Sequence, residues 1–353
     1  MSRFFSNKYD KLTPYVPGEQ PKEREYIKLN TNESPYPPSK KAMALAEEQL
    51  SKLKLYSDPD SKDLTLAVAN YYGVDIKNVI MTNGSDEVLN FAFMAYCDKN
   101  IPALFADITY GFYKVFAELN GIDYVEIPLK DDFSLDVNDY IGKKGTVFIA
   151  NPNAPTGRTI PLSDIEKLLK SDTNRVVIID EAYVDFGGES AIKLIDKYDN
   201  LLVTQTFSKS RSMAGARLGF GIANDKIIQD LNTIKYSTNP YNVNRMTAAA
   251  GIGAIEDDEY FKKNCQEIIS TREKTQKDLT DLGFTVLPSK TNFLFAKSDK
   301  ISGEKLYKKL KEKGVLVRHF EKERIKEFNR ITIGSPKEME IFISKVKEIL
   351  EDK

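Results

Sequence analysis

Short, almost continuously apolar runs alternate along this chain with longer stretches whose apolar residues recur every three or four positions. Asn78 to Thr82, Ile101 to Ala106, Thr146 to Ala150, Val176 to Asp180, Leu201 to Gln205 and Leu218 to Ala223 are runs of the first kind. Each is brief and bounded by turn residues, which predicts strands buried on both faces. Asp123 to Pro128 reads as one more strand. The helical patterns lie between them. Ser39 is a helix N-cap before Met43, Leu45, Ala46 and Leu50, and Ser61 to Tyr72 carries Leu64, Leu66 and Val68. Val88, Leu89, Phe91, Ala92 and Met94 mark the next helix, followed by the 110–120 segment and Leu162 to Lys170. Strands alternating with helices predict an α/β fold with a doubly wound, mostly parallel sheet.

The order changes near Asn239-Pro-Tyr. A long helical region (about 243–280) precedes strands at Phe284 to Leu287 and Phe293 to Ala296. Another helix, two strands (Val315 to Arg318 and Arg330 to Ile333) and a helix from Pro336 follow. That is α+β order. Residues 1–30, with Pro14, Pro17, Gly18 and Pro21 and little periodicity, read as an extended arm. The expected organisation is an arm (1–30) packing with the small domain, a large domain (31–240) and a small α+β domain (241–353).

Composition narrows the function. With 51 Lys+Arg against 52 Asp+Glu the net charge is -1, which argues against nucleic acid or an anionic membrane as main partner. No apolar run approaches a membrane span of about 20 residues, and the N-terminus lacks the apolar core of a signal peptide. Cys97 and Cys265 lie far apart with no metal-ligand spacing, so reduced thiols, no metal site and a cytoplasmic location are expected. A single histidine, His319, excludes multi-histidine metal sites.

Four polar clusters fall at predicted strand ends, where open α/β sheets gather their ligands. Gly84-Ser85-Asp86 opens a helix whose free N–H groups suit a phosphate. Asn151 begins a proline-rich turn, Asp180 is followed by Tyr183, and Thr206-Phe-Ser208-Lys209 leads to Arg217. Phosphate donors, a carboxylate and an amine together fit pyridoxal 5′-phosphate. In that reading Asp180 keeps the pyridine nitrogen protonated, Asn151 and Tyr183 bond the ring hydroxyl, and Tyr110 stacks on the ring.

The chain resembles the fold type I pyridoxal-phosphate-dependent aminotransferases and, within them, the histidinol-phosphate aminotransferase family. The matching stretches span nearly the whole length: Leu12 to Tyr15, Lys28-Leu-Asn-Thr-Asn-Glu33, Tyr56, Asn83 to Glu87, Thr109-Tyr-Gly111, Asn151 to Gly157, Asp180 to Tyr183, Thr206 to Lys209, Arg217 and Arg330 to Gly334. Ala154 departs from the family's usual asparagine there. The resemblance implies that Lys209 is the Schiff-base lysine and proton shuttle, with Asp180 and Tyr183 beside it in catalysis. It implies a cofactor shell of Gly84, Ser85, Asp86, Tyr110, Asn151, Thr206, Ser208 and Arg217, completed by Tyr56 from the other subunit of a homodimer. It places Tyr15, Asn30, Arg318 and Arg330 at the substrate.

One arginine grips a carboxylate bidentately, whereas two arginines with a tyrosine hydroxyl suit a phosphate monoester. The resemblance implies amino transfer between histidinol phosphate with 2-oxoglutarate and imidazole-acetol phosphate with glutamate, in histidine biosynthesis. The pattern leaves open an aromatic amino acid aminotransferase or a threonine-phosphate decarboxylase with the same machinery. A binding protein without turnover is disfavoured by the presence of Lys209, Asp180 and Arg217.

Overall fold

The computed structural model describes residues 2–10 and 12–352. The first half contains β1 (Ile27–Leu29), α1 (Lys40–Glu47), α2 (Lys62–Tyr72), β2 (Val79–Thr82), α3 (Ser85–Tyr96), β3 (Ala103–Ala106), α4 (Phe112–Asn120), β4 (Tyr124–Ile127), β5 (Thr146–Ala150), α5 (Leu162–Ser171) and β6 (Val177–Asp180). Next come β7 (Leu201–Thr206), β8 (Gly219–Ala223), α6 (Asp225–Thr238), α7 (Arg245–Glu256) and α8 (Asp258–Asp281). The chain continues through β9 (Phe284–Val286), β10 (Phe293–Ser298), α9 (Gly303–Glu312), β11 (Val315–His319), β12 (Asn329–Thr332) and α10 (Pro336–Glu351).

Seven strands form the larger sheet in the order β2-β8-β7-β6-β5-β3-β4. All neighbours from β7 to β4 run parallel, and β8 is antiparallel to both β7 and β2. The apolar runs are continuous because both faces are covered. In β6, Val177 and Ile179 join the core on one face and Ile178 the core on the other. By the same alternation Asp180 shares the face of Ile178, on the side of Phe148 and Tyr113.

The second sheet, β1-β11-β12-β10-β9, is antiparallel except where β1 of the arm runs parallel to β11. Its core draws Phe261 and Ile268 from α8, Leu306 and Leu310 from α9, and Phe342 and Val346 from α10. Helix α10 starts sharply because Ser335 and Glu338 close a capping box ahead of Pro336. The helical region from 243 is two helices meeting at Asp257, not one. Helix α7 packs on α1 and α2 and sends Ala250, Ala254 and Ile255 into the larger core, which therefore extends past residue 240. Among the described residues, no helix is long and apolar enough to cross a membrane.

Candidate active site

Strands β5, β6 and β7 end side by side, with Ala150 in register with Asp180 and Asp180 with Thr204. Their C-terminal ends open into a cavity of about 320 Å³ lined by Thr31, Ser85, Asp86, Tyr110, Asp180, Tyr183, Thr206, Ser208, Lys209 and Arg217. Three clusters separated by dozens of residues thus meet because parallel neighbours terminate at one edge.

One end of this inner cavity is built for an anion. Helix α3 begins at Gly84, which has no side chain to cap the first turn and leaves its N–H groups to another partner. Gly84 sits at φ +80°, and a Cβ there would lie 2.8 Å from the Arg217 guanidinium. A Cβ on Gly219 would come within 2.3 Å of the Ser85 nitrogen, so only glycine lets the helix end approach the sheet this closely. Arg217 donates to Asp86 Oδ2 at 2.9 Å, and the Tyr110 hydroxyl donates to Asp86 Oδ1 at 2.7 Å. Thr206 Oγ1 donates to Ser208 Oγ at 2.9 Å and holds that hydroxyl at the rim.

Asp180 forms the floor. It is 4 % exposed, and burial, with a smaller push from Asp86, raises its carboxyl to about 6. Two donors oppose that rise: the Tyr113 hydroxyl, 2.9 Å from Oδ2, and the Ala182 N–H, 3.2 Å from Oδ1. Lys209 reaches in from the end of β7. Burial, then the positive charges of Arg330 and Arg217, lower its ammonium to about 8 against the pull of Asp86 and Glu33. Its Nζ donates to the Thr31 carbonyl at 3.4 Å and lies 5.9 Å from the centre of the Tyr183 ring. The Tyr183 hydroxyl accepts from Asn32 Nδ2 at 2.9 Å.

A second cavity of about 810 Å³ adjoins the first and shares Thr31, Tyr110, Tyr183 and Lys209 with it. Tyr15, Asn30, Arg318 and Arg330 all line it. Arg318 and Arg330 are direct partners on antiparallel β11 and β12, so both side chains leave the same face. Arg330 donates to the Asn30 carbonyl at 3.1 Å while its Nε is buried without a partner among the described residues, and burial lowers its ionisation midpoint. Arg318 donates to the carbonyls of Val16 and Pro17 at 3.0 and 3.1 Å, which ties the arm across the opening. Tyr15 stacks on Phe112 with centroids 4.3 Å apart.

Three expected residues, Gly84, Asn151 and Tyr56, do not line either cavity; Gly84 caps α3 beside the Arg217 guanidinium. Asn151 lies behind Ala150 and Pro152, its amide bonded to both the N–H and the carbonyl of Ile160 at 3.0 and 3.2 Å. Tyr56 is 80 % exposed on the outside, stacked on Tyr241 at 4.7 Å, with its carbonyl held by Arg245 at 2.6 Å. The sequence reading missed Asn32, Glu33 and Tyr113. The first two fall inside Lys28-Leu-Asn-Thr-Asn-Glu33, so position alone could have found them, whereas nothing in the chain marks Tyr113.

A parallel sheet whose strand ends gather a buried carboxylate, a lysine and an anion cup defines a class, and comparison with known proteins agrees with it. The chain belongs to the family described as aminotransferase class I and II, whose model matches residues 24–346. Within it, the chain is 51% identical over 354 residues to the histidinol-phosphate aminotransferase of Brachyspira hyodysenteriae, covering 100% of both. It is 49% identical to that of Clostridium acetobutylicum, covering 99% of this chain and 100% of the relative. The fold also matches the crystal structure of histidinol-phosphate aminotransferase from Sinorhizobium meliloti in complex with pyridoxal-5′-phosphate. That match has a TM-score of 0.90 at 22% identity and covers 99% of this chain and 98% of the other.

Proposed function

We infer that this enzyme moves an amino group between histidinol phosphate and 2-oxoglutarate, using pyridoxal 5′-phosphate. The observation that carries the substrate is the pair Arg318 and Arg330, side by side on β11 and β12 in a cavity continuous with Lys209. A phosphate monoester is close to a dianion at neutral pH, since its second pKa is about 6, and it can engage two guanidiniums. The carboxylate of glutamate occupies one.

The residues present fit the cofactor. The close approach of Gly84 and Gly219 leaves an N–H cup in which Ser85, Ser208 and Arg217 would hold the phosphate. Asp180 would pair with the ring nitrogen, Tyr183 with the ring oxygen and Lys209 with the aldehyde carbon; Tyr110 would cover the ring face. Bound there, pyridoxal phosphate supplies a carbonyl that takes up the amino group and a ring that withdraws electrons. The protein does the rest. Lys209 Nζ, with its midpoint near 8, is neutral in a useful fraction of molecules at neutral pH and can take the substrate's Cα proton. The Asp180 carboxylate is ionised above pH about 6 and keeps the ring nitrogen's proton in place.

The remaining features of the reading are proposed with it. The arm (1–30) lies on the small domain (241–353), which the β1–β11 pairing supports, and the large domain (31–240) takes in α7 beyond its expected boundary. A homodimer is supported by the exposed Leu50, Leu53, Leu55 and Tyr56, an apolar run that a partner subunit would cover. Buried thiols at Cys97 and Cys265 suit the cytoplasm. The test is amino transfer to 2-oxoglutarate from histidinol phosphate, phenylalanine and threonine phosphate. Histidinol phosphate should be preferred by kcat/KM; preference for phenylalanine, or decarboxylation of threonine phosphate, would overturn the substrate while leaving the cofactor chemistry.

A further inference from the structure

Asp180 has two oxygens, and the protein uses them differently. Oδ1 accepts from the turn after β6 and Oδ2 from α4, beside the cavity that the carboxylate lines. Alternation along β6 puts Asp180 on the face of Ile178, and the first turn of α4 packs on that face with Tyr113, which is 0% exposed. A fully buried phenol must bond its hydroxyl, and Tyr113 spends its own on Asp180 Oδ2 at 2.9 Å. Burial and the neighbouring Asp180 push the phenol's ionisation well above its ordinary range, so this hydroxyl acts as donor only.

Tyr113 is itself rigidly held. Its ring meets Tyr110 edge-on at 5.7 Å and packs against Phe105 and Phe148 at 5.8 and 6.0 Å. Tyr110 in turn donates to Asp86, which receives Arg217. A connected set of side chains therefore runs from the anion cup to the back of Asp180. The other ionisable groups facing Asp180 are Asp86 from α3, which disfavours its charge, and Tyr183 and Lys209 across the cavity. Apart from the Ala182 N–H on Oδ1, Tyr113 is the donor that favours the carboxylate.

We propose that Tyr113 is a positioning residue for Asp180: its hydroxyl fixes the carboxylate's orientation and keeps it in the charged form that a protonated ring nitrogen requires. The assignment rests on the cofactor reading above and adds a residue to it. Removing one hydrogen bond to a charged group should raise the midpoint of Asp180 from about 6 by about one unit. At pH 6 the ionised fraction then falls from about one half to about one tenth. At pH 8 the group is almost fully ionised either way.

The experiment is Tyr113→Phe in the full chain, with pyridoxal phosphate binding measured after the cofactor is stripped. The dissociation constant should rise about fivefold at pH 6 and hardly at all at pH 8. The acid limb of kcat should move up by about one pH unit, with KM for the amino donor little changed. Equal weakening at both pH values, or none at either, overturns the proposal. Phe148→Leu, which loosens the same ring cluster without touching the carboxylate, should lower thermal stability and leave the acid limb in place. Asp180→Asn separates the two readings. If it binds and turns over normally, the role of Asp180 fails; if it is impaired while Tyr113→Phe is normal, only Tyr113 fails. Should Tyr113→Phe not fold, the unmodified holoenzyme with labelled tyrosine still decides: a slowly exchanging, downfield phenol proton that follows Asp180's titration is expected, and its absence overturns the bond.

Discussion

The inner and outer cavities share Lys209 and Tyr183 yet are built on opposite principles. The inner one sits on the ends of β5, β6 and β7, and its acidic and basic groups are tuned mainly by burial: Asp180 is pushed up to about 6 and Lys209 down to about 8. The outer one is assembled from the arm and the second sheet. There Arg318 is held by main-chain carbonyls of Val16 and Pro17, and Arg330 keeps a buried Nε without a partner among the described residues. The inner site thus combines buried, mutually bonded groups with an open helix end, while the outer site holds positive charge that an anionic substrate can claim. In the proposed reading, chemistry is placed on the sheet and selectivity on the arm and the smaller sheet.

The largest effect should come from breaking the inner site. Lys209→Ala removes both the amine and the proton carrier, so turnover should fall at least about a thousandfold. Pyridoxal phosphate should still bind through Ser85, Ser208, Arg217 and Asp180, measurable by equilibrium dialysis. Appreciable turnover by this variant would contradict the assignment.

Asp180→Asn should cripple turnover by about a hundredfold or more, unrescued by excess cofactor. In the cofactor-free protein, where no ring nitrogen pairs with the carboxylate, the same change should stabilise the fold. Asp180's midpoint is raised from 3.8 to about 6 on folding, so its favourable contribution is present below about pH 4 and lost as pH rises through 6. Replacing it should raise stability at pH 8 by up to about 3 kcal/mol, a few degrees in Tm, and change little at pH 4. Calorimetry at the two pH values checks this, and a loss of stability at pH 8 would show that the carboxylate is a structural anchor instead.

The outer site should respond by substrate. Truncating one partner of a charge-assisted contact costs about 2–5 kcal/mol, a factor of tens to thousands. Arg330→Ala should lower kcat/KM for both glutamate and histidinol phosphate by that order. Arg318→Ala should harm histidinol phosphate much more than glutamate, because only the phosphate has oxygens left for a second guanidinium. Equal loss for both substrates would remove the phosphate-reading role of Arg318.

The smallest effect concerns a residue that belongs to neither cavity of its own chain. If Tyr56 completes a neighbour's site, mixing inactive Lys209→Ala chains with a Tyr56→Ala variant should restore a fraction of activity in heterodimers. Verified subunit exchange without recovery would exclude a shared site.

Much of the inner site was legible in the chain. Asp180, Ser208 and Lys209 lie just where apolar runs end, and a parallel sheet brings such ends together whatever the loops between them. Asn151 also follows directly on β5, as the rule expects, but the partners of its amide were not legible: Ile160 supplies both a donor and an acceptor across the turn. The meeting of α7 with α1 and α2 was equally hidden, since its alanines and glycines read as helix without saying which core they enter.

The order of residues alone specified the alternation of buried strands and amphipathic helices, and hence an edge where an amine, a carboxylate and an anion cup would gather. Periodicity and chain order suffice for that, because local hydrogen bonding and apolar burial are encoded residue by residue. Packing of the folded chain settled who partners whom. It set Arg318 opposite Arg330, Asn32 on Tyr183 and Tyr113 behind Asp180. These pairs are 12, 151 and 67 residues apart in the chain. Their hydrogen bonds, and the shifts in proton affinity that burial imposes, exist only once distant segments are packed together.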